Sequence, residues 1–174
     1  MPFIIQEEGT RFSNTPGDHG GATRYGIIQT EYNIFRHSKG LPLQSVNLIS
    51  VDEYTEIYWT NYWLPHCPQL PVGLDLSFFN IDINGGPARG VRLLQQSMGL
   101  SVDGVWGPIT GNAVNEINDV PHIISAFYND EVAFYSAIIT HDPSQKKFAS
   151  DWFGRAERCK AASLAMFANS GNVA

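Results

Sequence analysis

The chain has 174 residues, 43% of them apolar and 16% charged, with a formal net charge of −6. That suffices for one compact domain, or two small lobes sharing a packed core, and it excludes a disordered chain. Lysines and arginines are scattered without a basic tract, which argues against nucleic acid as a partner, and no apolar run reaches the ~18 residues that a membrane span needs.

Pro2 to Glu8 is a short apolar segment running into charge, expected to form a helix whose end carries Glu7 and Glu8. Residues 9–26 read GTRFSNTPGDHGGATRYG. Such a density of glycine, with one proline, predicts a loop or tight hairpin, with a short strand within Thr23–Gln29. Ser50 and Glu53 form a capping-box pattern that should open a helix running to about Trp63, stopped by Pro65 and Pro68. Leu74 to Ile83 is an apolar run expected as a buried helix, broken at Asn84-Gly85-Gly86-Pro87.

Val91, Leu94, Gln95 and Met98 share a helical face closed by Gly99 as the residue after the cap. A turn follows at Asp103-Gly104, with Trp106 as a buried anchor, and a helix starts at Pro108. Pro121 to His141 reads as a long amphipathic helix, and a last helix spans about Asp151 to Ala168. Residues 169–174 should fray. The sum is a mostly α chain, a helical bundle with one small β-hairpin near residues 15–30.

Cys67 and Cys159 are separated by most of the chain, with no paired-cysteine motif. Two buried free thiols are the expectation, although the sequence does not exclude a disulfide. The five histidines show no metal-binding spacing, and neither a metal nor another cofactor is implied. Lys146, Lys147, Arg155, Arg158 and Lys160 offer a local basic face.

The stretch from Glu8 to Ile27 carries the chemistry. One carboxylate ends an apolar segment, a second (Asp18) lies ten residues on in a glycine-rich turn, and the Thr23 hydroxyl follows five residues later. Glycosidic cleavage needs a protonated acid beside the leaving oxygen and a second polar group that positions water or steadies the transition state. A carboxyl flanked by apolar packing holds its proton because desolvation penalises the charged form, and Glu8 follows Phe3, Ile4 and Ile5. Asp18, in an open turn, would stay ionised, Thr23 could hold the water, and Gly20 and Gly21 would let the backbone approach a sugar ring. On pattern alone, the same residues also fit an ordinary surface turn.

Glu8-Gly9-Thr10-Arg11-Phe12, followed by Asp18, Gly20, Gly21, Thr23, Tyr25, Gly26 and Ile27, resembles the signature of glycoside hydrolase family 108, a group of N-acetylmuramidases. The opening is one residue longer than the family's usual EGGY form and has Phe for Tyr. That leaves Glu7 as a rival, and Glu8 is preferred because Gly9 follows it. Phe79 to Pro87, Leu93-Leu94-Gln95, Asp103 to Pro108 and Phe148 to Arg155 are similar to segments of the family's C-terminal, predicted peptidoglycan-binding region. Asn80 stands where the family has Asp and Asp82 where it has Ala, so a role of that Asp could have moved to Asp82.

The resemblance implies a lysozyme-like α+β fold with a catalytic lobe over 1–75 and a helical peptidoglycan-binding lobe over 76–174, packed as one domain with a cleft between them. It implies Glu8, Asp18 and Thr23 as catalytic residues. Gly20, Gly21, Arg24 and Tyr25 would be substrate contacts, with Asn84 either a further contact or a helix C-cap. The expected activity is hydrolysis of the β-1,4 bond between N-acetylmuramic acid and N-acetylglucosamine by a monomer. The N-terminus shows no signal-peptide pattern, so a phage endolysin made in the cytoplasm and released to the wall by another protein is expected. A secretion-associated wall-opening muramidase, an inactive peptidoglycan-binding module and a lytic transglycosylase are the competing readings.

Overall fold

A computed structural model describes residues 2–8, 12–14 and 21–171. The chain divides into two compact units, residues 1–61 and 62–174.

In the first unit, α1 (Pro2–Glu8) precedes a hairpin of β1 (Thr23–Arg24) and β2 (Ile27–Ile28), antiparallel with Arg24 opposite Ile27. Ser13 pairs with the outer edge of β1 through Ser13 N–H to Thr23 O (2.9 Å) and Thr23 N–H to Ser13 O (2.8 Å). α2 (Gln29–Ser38) follows at once, where a strand running to Gln29 is predicted and no helix. Its start is silent in sequence because the N-cap is Ile28, which supplies no side-chain oxygen. The Gln29 side chain instead ties the helix to the loop beyond it, accepting from Val46 N–H (2.7 Å) and donating to Gln44 O (2.9 Å).

α3 (Val51–Tyr58) opens on the expected capping box: Glu53 N–H donates to Ser50 Oγ (3.2 Å), and Ser50 N–H donates to Glu53 Oε2 (2.9 Å). The same carboxylate receives Tyr32 Oη (2.9 Å) and Arg36 Nη1 (2.6 Å), which binds α2 to α3. α3 stops short of the predicted end. Trp59–Trp63 forms a wider π-helical turn before Pro65.

The second unit is built around α4 (Leu74–Gly85). Leu74, Leu76, Phe78, Phe79 and Ile81 are buried together with Ser77, Asn80 and Asp82, so the helix is buried on every side, as a central helix must be. α5 (Pro87–Ser97), α7 (Val120–His141) and α8 (Ala149–Ser170) pack on it, and α6 (Pro108–Asn115) completes the set. Gly73, with φ +89°, lets α4 approach α8, since an added Cβ would lie 2.4 Å from Ser163 O. Ser77 and Ser163 hydroxyls meet at 2.8 Å in the same seam. α5 ends in a Schellman motif, with Leu100 N–H on Gln95 O (2.8 Å), Gly99 N–H on Gln96 O (2.9 Å) and Gly99 at φ +69°.

Several expectations are corrected. α4 is capped by Gly86 (φ +86°), so Asn84 lies inside the helix and is not its C-cap. Trp106 is half-buried, stacked on His66 at 4.5 Å and edge-on to Phe78 at 5.9 Å. Arg155 is buried and leaves the proposed basic face. α8 continues through Ser170, two residues beyond its predicted end, and residues 172–174 lie outside the described residues. Cys67 and Cys159 are buried free thiols. Among the described residues no helix is long and apolar enough to cross a membrane.

Candidate active site

The β1–β2 turn consists of Tyr25 (φ +52°) and Gly26 (φ +74°), two successive residues in the left-handed region, as a two-residue hairpin loop of the right twist demands. Tyrosine is an unusual occupant of such a position. Its ring is held flat against Tyr54 at 4.4 Å, the Arg24 guanidinium lies 5.1 Å from its centre, and its carbonyl accepts from Tyr58 Oη (2.6 Å). At Gly26, an added Cβ would lie 2.4 Å from Tyr58 Oη and 2.5 Å from Glu8 Oε2. The glycine's missing side chain is therefore the space into which the Glu8 carboxyl fits.

Glu8 is the last residue of α1. It is half-buried, and its Oε1 is shielded from solvent. Of the two neighbouring carboxylates, it is Glu8 that meets the hairpin tip.

Thr23 stands at the foot of the same hairpin, half-buried, its hydroxyl donating to Gly21 O (3.2 Å). Gly21 has φ +67° and open space where a Cβ would be. Arg24 donates from Nη1 to Asn47 O, and its shielded Nε–H has no partner among the described residues. The structure thus brings Glu8, Thr23, Arg24 and Tyr25 to one hairpin. Asp18 and Gly20 lie outside the described residues. Tyr54, Tyr58 and Gly26 are the components that residue-type reasoning missed as site residues, although Gly26 stands within the motif.

Residues 1–86 match the family model described as Glycosyl hydrolase 108, and residues 89–157 match the one described as Predicted Peptidoglycan domain. Residues 1–86 are a glycosyl hydrolase 108 domain. The hydrolase is also similar to a solved structure titled "Structure of Brucella abortus SagA", with a TM-score of 0.77 and 29% identity over 96% of this chain and 92% of that one. No curated protein matches the sequence. It is a glycoside hydrolase that acts on peptidoglycan.

In the hydrolase's second unit, two motif segments far apart in sequence meet inside the core. Arg155 Nε donates to Asn80 Oδ1 (2.8 Å), joining the stretch from Phe79 to the closing arginine. Asp82 is fully buried, its Oδ1 accepting from Gly90 N–H (3.1 Å), and burial pushes its carboxyl up to about 8 despite that bond. It therefore does not assume a substrate contact in place of the family's Asp. Asn84 is exposed and donates to Tyr135 Oη (2.6 Å), which in turn donates to Glu131 Oε1 (3.3 Å). Burial pushes Glu131 up to about 7, opposed by the Tyr135 hydrogen bond and the Arg155 charge. Among the described residues no group of three or more His, Cys, Asp or Glu is arranged to hold a metal.

Proposed function

We propose that this hydrolase is a muramidase that cleaves the β-1,4 bond between N-acetylmuramic acid and N-acetylglucosamine, with Glu8 protonating the leaving oxygen. The observation that carries the reading is the fit of the Glu8 carboxyl against the bare Cα of Gly26 at the hairpin tip. A carboxyl clamped there reaches a glycosidic oxygen in one geometry, and such positioning is a large part of acid catalysis. Thr23 and Asp18 would hold the attacking water on the other face of the sugar. Gly20, Gly21, Arg24, Tyr25 and Asn84 would contact the strand. Residues 1–75 would do the chemistry and 76–174 the wall binding, in a monomer.

Glu8→Gln keeps the shape of the side chain and removes its proton. It should abolish release of reducing muropeptide ends from purified sacculi, read by mass spectrometry, while Tm stays within about 2 °C of wild type. Near-normal turnover would move the acid to Glu7. Anhydro-muropeptide ends from the wild type would make the enzyme a transglycosylase, and intact walls a binding module. We further propose the role of a phage endolysin, with a secretion-associated wall-opening muramidase as the alternative. Expression in a bacterial host should then cause lysis only together with a protein that permeabilises the inner membrane.

A further inference from the structure

In the second unit, the start of α6 and the segment before it border an open groove of about 580 Å³, within the range of small-ligand sites. Gln69, Trp106, Pro108, Gly111, Asn112 and Asn115 line it. Its shape is fixed from beneath. The two N–H protons of the buried Gln95 amide are shared among Asp103 Oδ1 (2.7 Å), Val105 O (3.1 Å) and Thr110 Oγ1 (3.1 Å), and its oxygen accepts from Gly104 N–H (2.9 Å). One residue thereby pins the whole 103–110 segment, and with it Trp106. His66 covers one face of the Trp106 indole. A Cβ placed on Gly111 would lie 3.8 Å from Trp106 Nε1, so the N–H edge borders the floor of the groove.

Three donor groups here have no protein partner among the described residues: the Trp106 indole N–H and the exposed Asn112 and Asn115 amides. The two asparagines are three apart on one helix and share a face. None of the lining residues is charged. A peptide stem bearing carboxylates and an amine would call for opposite charges. A neutral ring with hydroxyls and an acetamido group calls for amides, an indole N–H and an aromatic edge. We propose that this groove is a non-catalytic subsite for an N-acetylated amino sugar of the glycan strand. It anchors the wall polymer through Asn112, Asn115 and Trp106, and it rests on the reading of the enzyme as a wall-glycan hydrolase.

The test uses the full chain, with chitotetraose as a neutral sugar probe and a free stem tripeptide as the control, read by the Trp106 indole N–H resonance. Chitotetraose should shift that resonance saturably and the tripeptide should not. Asn112→Ala with Asn115→Ala, both exposed, should weaken chitotetraose binding at least fivefold. The same pair should raise the KM for sacculi with kcat within twofold. Gly111→Leu fills the groove at a helical position that favours a side chain, and should abolish binding without lowering Tm. An unmoved Trp106 resonance, unchanged binding in both variants, or a shift caused by the tripeptide instead would overturn the proposal. Sugar binding at Trp106 by a wild type that hydrolyses nothing would uphold the subsite and overturn the muramidase reading, so the two fail separately.

Discussion

Tyr25 adopts a left-handed backbone conformation that costs an L-residue roughly 1–2 kcal/mol, and two contacts offset it: the stack on Tyr54 and the hydrogen bond from Tyr58. The turn is therefore a braced one, and Glu8 is seated against it. Gly26→Ala tests this arrangement. The added methyl would lie 2.4 Å from the hydroxyl of the buried Tyr58 ring and 2.5 Å from Glu8 Oε2, so it should break the Tyr58–Tyr25 hydrogen bond as well as incur the positive φ, and the cost by urea unfolding should exceed the ~1–2 kcal/mol of the φ alone. Displacing the acid should cost more in chemistry, on the order of 100-fold in turnover on sacculi. A Gly26→Ala enzyme with normal turnover would show that Glu8 does not depend on the hairpin for its position. Glu8, the proposed acid, stood out in sequence because a carboxylate follows an apolar segment and precedes Gly9. The bracing tyrosines were not, because Tyr54 and Tyr58 read as the core face of a helix and reach the turn only in three dimensions.

Among the elements, α3 shows how one residue can serve two purposes. Glu53 closes the capping box and also anchors Tyr32 and Arg36 of α2. Ser50→Ala removes the cap alone and should cost about 1 kcal/mol in urea unfolding. Glu53→Ala removes the cap and the tie between helices, leaving Arg36 without its counter-charge, and should cost clearly more. Equal losses would mean that the α2–α3 tie contributes nothing. The capping box was visible from spacing, since it is local. α2 itself was not, because its first turn is secured by Gln29 reaching the 44–46 loop, a contact that no local pattern encodes. Similarly, Gln95 is visible as part of a motif, but its polar amide on an apolar helix face makes sense only when the 103–110 segment is folded over it.

At the scale of the whole molecule, the second unit carries two buried carboxyls, Asp82 pushed up to about 8 and Glu131 up to about 7. Both folded values lie above the ordinary ones, so the folded state retains protons that the unfolded chain has already released. Their contribution to stability is greatest below about pH 4 and falls as pH rises through the interval up to about 7–8, where both have ionised. Other carboxylates pull the opposite way: hydrogen bonds from Ser50, Tyr32 and Arg36 outweigh burial and hold Glu53 below its usual value, and that contribution is lost in acid. Asp82→Asn retains an acceptor for Gly90 N–H and cannot ionise. Its Tm should match wild type below about pH 4 and exceed it by a growing margin up to about pH 8, and parallel curves across that range would refute the assignment.

The sequence by itself determined what is local or periodic: a mostly α chain, the positions of α3 to α8, the glycine-dependent turns and, through the ordered motifs, the family and its wall substrate. Those features are written in neighbouring residues, because helix periods, caps and positive-φ turns are satisfied within a few positions. Only the tertiary structure decided that Glu8 fits against Gly26, that Asn80 meets Arg155, that Asp82 is sealed off from any ligand, and that Gln95 shapes a groove under Trp106. Each of these joins residues 8 to 75 positions apart. Burial, a missing Cβ and a satisfied amide exist only once distant segments share the same space.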